Sequence, residues 1–249
     1  MEYRVISIGT LSEHPLWDVP QARRTAHATT TLIRTAGRVI LVDPALPAEI
    51  LEARCQERAG IGFDTVTDVF LTSFRPAHRR ALPALTGAKW WIHTQERETI
   101  GRHLIGQLEA AGGMEATTDF GDCGEAHSGD SGDSGDSGGE RAERMLKADI
   151  ALLQRCHEAP DRLAPQVDLF PVPGFTPGTC GLLLTPPSST ILIAGDAAAT
   201  CEHFERGQVL QGAYDVAQAR QSLGEIIEIA DWIIPGHDNL TPNLTRGGL

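Results

Sequence analysis

The sequence predicts an α/β fold: one domain spanning residues 1–249, with a sandwich-type core and a segment inserted in its middle. Three observations point to it. Short β-rich runs alternate with longer helix-patterned runs along the chain. Two strand-rich stretches flank a central region, Gln95 to Pro165, whose pattern is mostly helical. Inside that region lies a Ser-Gly-Asp repeat, residues 128–139, without one apolar side chain to bury.

The elements follow in order. Thr29 to Arg34 and Val39 to Val42 read as strands joined by a hairpin turn at Ala36-Gly37-Arg38. Pro47 to Arg58 reads as a helix, with proline in its first turn and Gly60 just past its end. Val66 to Thr72 is a strand, His78 to Leu85 a short helix, and Lys89 to His93 a further strand. Thr94 to Ala111 is a helix that Gly112-Gly113 stops. The repeat predicts a solvated, mobile loop; its aspartates recur every third residue, a spacing that matches neither common calcium loop. Arg141 to Glu158 returns to helix, with Leu146, Ile150 and Leu153 on one face. Strands at Val167–Val172, Cys180–Leu184 and Thr190–Ala194 follow. A helix from Tyr214 to Ala230 directs Val216, Leu223, Ile226, Ile227 and Ala230 to a core, and Asp231 to Pro235 is the last strand.

Composition narrows the function classes. Of the 249 residues 41% are hydrophobic and 22% charged, an ordinary globular balance. The formal net charge of -12 argues against a phosphate backbone as partner. Much of the excess is local, in Asp119, Asp122, Glu125, Asp130, Asp133, Asp136 and Glu140, with no Lys or Arg among them. The 5 cysteines are widely spaced and form no C-x-x-C, which excludes a disulfide framework and a thiolate zinc site. No apolar run approaches the roughly 18 residues of a membrane span. With no signal-peptide pattern at the N-terminus, the expected location is the cytoplasm.

Four turns carry polar groups where sheet-based enzymes place their chemistry. They are Thr72-Ser73-Phe74-Arg75-Pro76-Ala77-His78, Pro173-Gly174-Phe175-Thr176-Pro177-Gly178, Gly195-Asp196 and Pro235-Gly236-His237. Singly, each also reads as an ordinary turn or cap. Ser73 has neither a G-x-S-x-G context nor a triad order, so it is not read as a nucleophile.

In order and spacing the four together resemble the metallo-β-lactamase fold superfamily, over nearly the whole chain. That family's strand ends in T-H-x-H-x-D-H, its later turn reads P-G-H-T-P-G, and further strands end in G-D and P-G-H. Leu41-Val42-Asp43-Pro44 also looks like the family's strand whose Asp supports the metal turn. The resemblance implies a four-layer αββα sandwich with an active groove at one edge of the two sheets.

Carried over position by position, the resemblance puts Ser73, Arg75 and Phe175 where the first metal's three histidines belong. None of the three is a credible zinc ligand. The second metal's positions are Ala77, His78, Asp196 and His237, of which three keep ligand side chains. Two imidazoles and a carboxylate are a known set for a single divalent ion. Arg75, always protonated, is placed to pair with Asp196 and to repel an incoming cation. Two expectations follow. One is a protein of this fold with its first metal site lost, not a standard two-metal hydrolase, that binds a small molecule in its groove without catalysis. The alternative is a single-metal hydrolase of an ester, lactone, thioester or amide. It would hold zinc, iron or manganese on His78, Asp196 and His237, with Arg75 and Asp196 in catalytic roles, although Ala77 stands where the usual base would be. His14 and His27 are isolated histidines with no assigned place.

Overall fold

The structure, a computed structural model, describes residues 1–13, 16, 24–111 and 138–247. His14 and nearly all of the acidic repeat lie outside the described residues. Two six-stranded sheets face each other. The first runs in the order β1 (Glu2–Ser7), β2 (Thr30–Thr35), β3 (Arg38–Val42), β4 (Asp68–Leu71), β5 (Lys89–Ile92) and β6 (His157–Glu158). The second comprises β7 (Arg162–Ala164), β8 (Val167–Pro171), β9 (Cys180–Leu184), β10 (Ile191–Gly195), β11 (Trp232–Pro235) and β12 (Thr241–Pro242), likewise in chain order across the sheet.

Strand alternation builds the layers. Ile33, Ile40, Val42 and Phe70 point inward from the first sheet and meet Leu182, Leu184, Ile191, Ile193 and Ile234 of the second. Their neighbours Leu32, Leu41, Val69 and Leu71 point the other way, onto a helical layer. That layer is α1 (Ala48–Ala59), α2 (Thr94–Ala111) and α3 (Gly138–Arg155). On the far side Leu192, Ala194 and Ile233 pack against Leu223 and Ile226 of α5 (Val216–Ile229). A short α4 (Cys201–Glu205) lies beside them. The architecture is therefore a four-layer αββα sandwich. Each fully buried Leu or Ile in it contributes about 1.5–3 kcal/mol of transfer free energy.

Local chemistry sets the element ends. The β2–β3 turn has Ala36 and Gly37 both at positive φ (48° and 77°), the geometry that matches the twist of a two-residue hairpin. Pro47 precedes α1, and Gly60, left-handed at φ 65°, closes it by donating its N–H to the last turn.

Three readings need correction. His78 to Leu85 is not a helix but two 3-10 turns, Pro76–His78 and Leu82–Ala84, because Pro83 lacks the N–H that a helix running through it would need. α3 ends at Arg155, and His157–Glu158 pairs instead as the edge strand β6. Val216 is exposed at the first position of α5 rather than buried. Strand β1, paired antiparallel with β2, is an addition. Among the described residues no helix is long and apolar enough to cross a membrane.

Candidate functional site

Parallel pairing brings the polar strand ends to one edge. β3 lies parallel to β4, and β10 parallel to β11, so their C-terminal ends share a side of each sheet. Asp43 follows β3, Thr72 to His78 follow β4, Asp196 follows β10 and His237 follows β11. The last two turns approach closely: a Cβ on Gly236 would lie 2.7 Å from the carbonyl carbon of Gly195, so the backbone there requires glycine.

Asp196 is the centre of the cluster. His78 Nε2 lies 2.9 Å from its Oδ2, His237 Nε2 2.9 Å from its Oδ1, and Arg75 Nη1 donates to Oδ2 at 3.0 Å. His78, Asp196 and His237 are buried and offer three ligand-type atoms within 4.8 Å of one another. Each imidazole is oriented from behind. His237 Nδ1 lies 3.1 Å and 3.0 Å from the carbonyl oxygens of Thr10 and His27, which can only accept, so Nδ1 carries a proton. His78 Nδ1 lies 3.1 Å from Asp43 Oδ2. Asp43 in turn accepts from the Thr72 N–H at 2.9 Å and the Thr72 hydroxyl at 2.7 Å.

Two groups of the cluster are strongly shifted in opposite directions. Burial alone would lower the His78 pKa, but the Asp196 and Asp43 carboxylates overrule it and push the ring up to about 10, an imidazolium at neutral pH. Burial alone would raise Asp196, but His78, Arg75 and the hydrogen bonds from both imidazoles hold its carboxyl well below the usual range.

The positions equated with a first metal site hold a different arrangement. The Arg75 guanidinium carbon lies 4.8 Å from the centroid of the Phe175 ring, so one cation touches the ring and the Asp196 carboxylate. Ser73 Oγ is buried and has no hydrogen-bond partner among the described residues. Ala77 is buried and contributes only its carbonyl, which accepts from the Ala28 N–H at 2.9 Å. Ser73, Arg75 and Phe175 offer no imidazole, thiolate or carboxylate, the donors that hold zinc. His78, Asp196 and His237 do fit a single ion in donor chemistry, but Arg75 already occupies Asp196 Oδ2. His27 reaches the cluster through its backbone; its ring, half-buried and with a lowered pKa caused first by burial, contacts Thr25 O at 3.3 Å.

Glu96 was not picked out by sequence. It lies in the first turn of α2, is fully buried, and bonds to both the 72–78 and 173–178 turns. Flanked by Gln95, Arg97 and Glu98, it carries the pattern of an exposed helix start.

The sequence matches no protein-family model and no curated protein. Solved structures do match. A candidate metallo-β-lactamase from Thermotoga maritima superimposes with a TM-score of 0.63 at 17% identity, covering 97% of this chain and 98% of that one. AidC, a dizinc quorum-quenching lactonase, gives 0.57 at 16% identity over 80% of this chain and 67% of its own. A quorum-quenching N-acyl homoserine lactone lactonase gives 0.53 at 19% identity over 85% and 80%.

Proposed function

We propose that this chain, which has the metallo-β-lactamase fold, is a member that does not perform two-metal hydrolysis and instead holds a small-molecule ligand in the groove at its strand ends. One observation carries the reading: the Arg75 guanidinium, seated on Phe175, bonds Asp196 at 3.0 Å. Arg75 is then the site's own cation. A divalent ion binding beside it would have to displace the His78 proton and still face the guanidinium. At a separation of ~4 Å and an effective dielectric of ~20, each pair of like unit charges costs about 4 kcal/mol. Next to Phe175 is an exposed aromatic, Tyr214, whose backbone N–H donates to Phe175 O at 3.0 Å.

The test is the metal content of protein purified without chelator. Less than about a tenth of an equivalent of zinc, iron or manganese, with no hydrolysis of lactone, ester or thioester panels, is the expected result. A full equivalent in the wild type would sink it.

A second reading has its own support. Both imidazoles have Nδ1 held from behind and Nε2 turned to the same carboxylate, the arrangement that orients metal-ligating histidines. In that reading His78, Asp196 and His237 hold one divalent ion, which would supply Lewis-acid polarisation and an activated water. Arg75 would stabilise the developing oxyanion. His237→Ala would then abolish metal uptake. Under the first reading there is no uptake to abolish, and Arg75→Ala is the variant that gains it.

A further inference from the structure

We infer that Glu96 is the positioning residue of this site: one buried carboxylate holds the turn bearing Arg75 and the turn bearing Phe175 in register, so that the guanidinium meets both the ring and Asp196. The inference rests on the reading of Arg75 as the site's cation.

Glu96 is wholly inaccessible to solvent. Its Oε1 accepts the Phe74 N–H at 2.9 Å, the peptide immediately before Arg75. Its Oε2 accepts the Thr176 hydroxyl at 2.6 Å and the Gly178 N–H at 3.2 Å, both just beyond Phe175. The two turns belong to different halves of the chain, and Glu96, in α2, is part of neither turn. A carboxylate presents two oxygens a fixed distance apart, so its grip sets the separation of the two turns.

Packing adds to the grip. A Cβ on Gly178 would lie 2.0 Å from the Glu96 backbone nitrogen, so the 173–178 turn presses directly on the start of α2. On the other side of Phe74, Arg79 Nε donates to the Phe74 carbonyl at 2.7 Å, and Arg79 pairs with Asp149 of α3 at 2.8 Å. Both carbonyl and N–H around Phe74 are therefore fixed by side chains tied to α2 and α3. A buried acid in this position is costly unless fully bonded, and all of its bonds go to the two turns that frame the Arg75 cation.

A double-mutant cycle separates positioning from mere support. Arg75→Met, Asp196→Asn and their combination are measured by urea unfolding in the wild-type and Glu96→Gln backgrounds. The glutamine amide keeps one acceptor and turns an NH2 towards the other donors. In the wild type the pair should couple by roughly tenfold or more in the unfolding equilibrium, and in Glu96→Gln by less than about threefold. Leu104→Ala, a core truncation in the same helix, should lower stability and leave the coupling intact. Coupling that survives Glu96→Gln, or that vanishes equally in Leu104→Ala, overturns the inference. Absent coupling in the wild type removes the Arg75 reading itself, and this inference with it. Should Glu96→Gln not fold, Thr176→Val removes one donor and is read the same way: weakened coupling supports the inference, unchanged coupling overturns it.

Discussion

Two arginine–aspartate pairs in this molecule look alike by distance and differ in what surrounds them. Arg38 Nε donates to Asp68 at 2.8 Å, and Arg75 Nη1 donates to Asp196 at 3.0 Å. Both arginines are partly exposed, at 29% and 21%, so exposure does not separate them. The remaining partners do. Asp68 takes its other bonds from Trp91 Nε1 and the Thr67 hydroxyl, both at 2.7 Å, neutral donors that only fill lone pairs. Asp196 takes its other bonds from two imidazoles. One pair is a brace within a sheet. The other is a carboxylate ringed by groups that change charge or bind metal, at the edge where both sheets end their parallel strands.

The largest effect expected is from Asp196→Ala, which leaves Arg75, His78 and His237 around a missing counter-charge and should cost about 3–5 kcal/mol by urea unfolding. Asp68→Ala should cost about 1–3 kcal/mol, since it orphans the Trp91 N–H and frees an arginine that can reach solvent. If the two losses came out in reverse order, the distinction between brace and site would collapse. Arg75→Ala comes next, at about 1–2 kcal/mol. It should also gain zinc in equilibrium dialysis, which Arg38→Ala should not. An unchanged melting temperature for Arg75→Ala would show that Asp196 does not need its guanidinium. The smallest effect is on acid unfolding. Burial would raise the Asp68 pKa, but bonds from Arg38, Trp91 and Thr67 overrule it and hold the carboxyl below its ordinary 3.8. Its contribution is present above pH 3.8 and is lost as pH falls through the lowered folded value. Asp68→Asn should flatten that part of the acid-unfolding curve, and an unaltered slope would count against the pair's ionic character.

The sequence made the fold legible where backbone chemistry leaves a mark. Pro47 and Gly60 bracket α1, and Ala36-Gly37 marks the hairpin. That His78, Asp196 and His237 come together was legible because such side chains follow closely on apolar strands, as Asp196 follows Ile191–Gly195. What escaped was set by tertiary contact. β6 is two residues long and exists only by pairing with β5. Glu96 sits among polar neighbours at a helix start, and only the arrival of two distant turns makes it a buried residue. Val216 belongs to an apolar stripe by spacing, yet the first turn of α5 stands clear of the sheet.

The contact between Arg75 and Phe175 has a consequence for how this protein can change. Each residue makes the other worth keeping. A histidine at 175 alone would put a second basic group against the guanidinium. A histidine at 75 alone would remove the guanidinium that bonds Asp196 and leave the Phe175 ring without its cation. Each single replacement therefore gives up a contact on which the other residue depends. The two positions are coupled, so the effect of changing either depends on the residue that stands at the other.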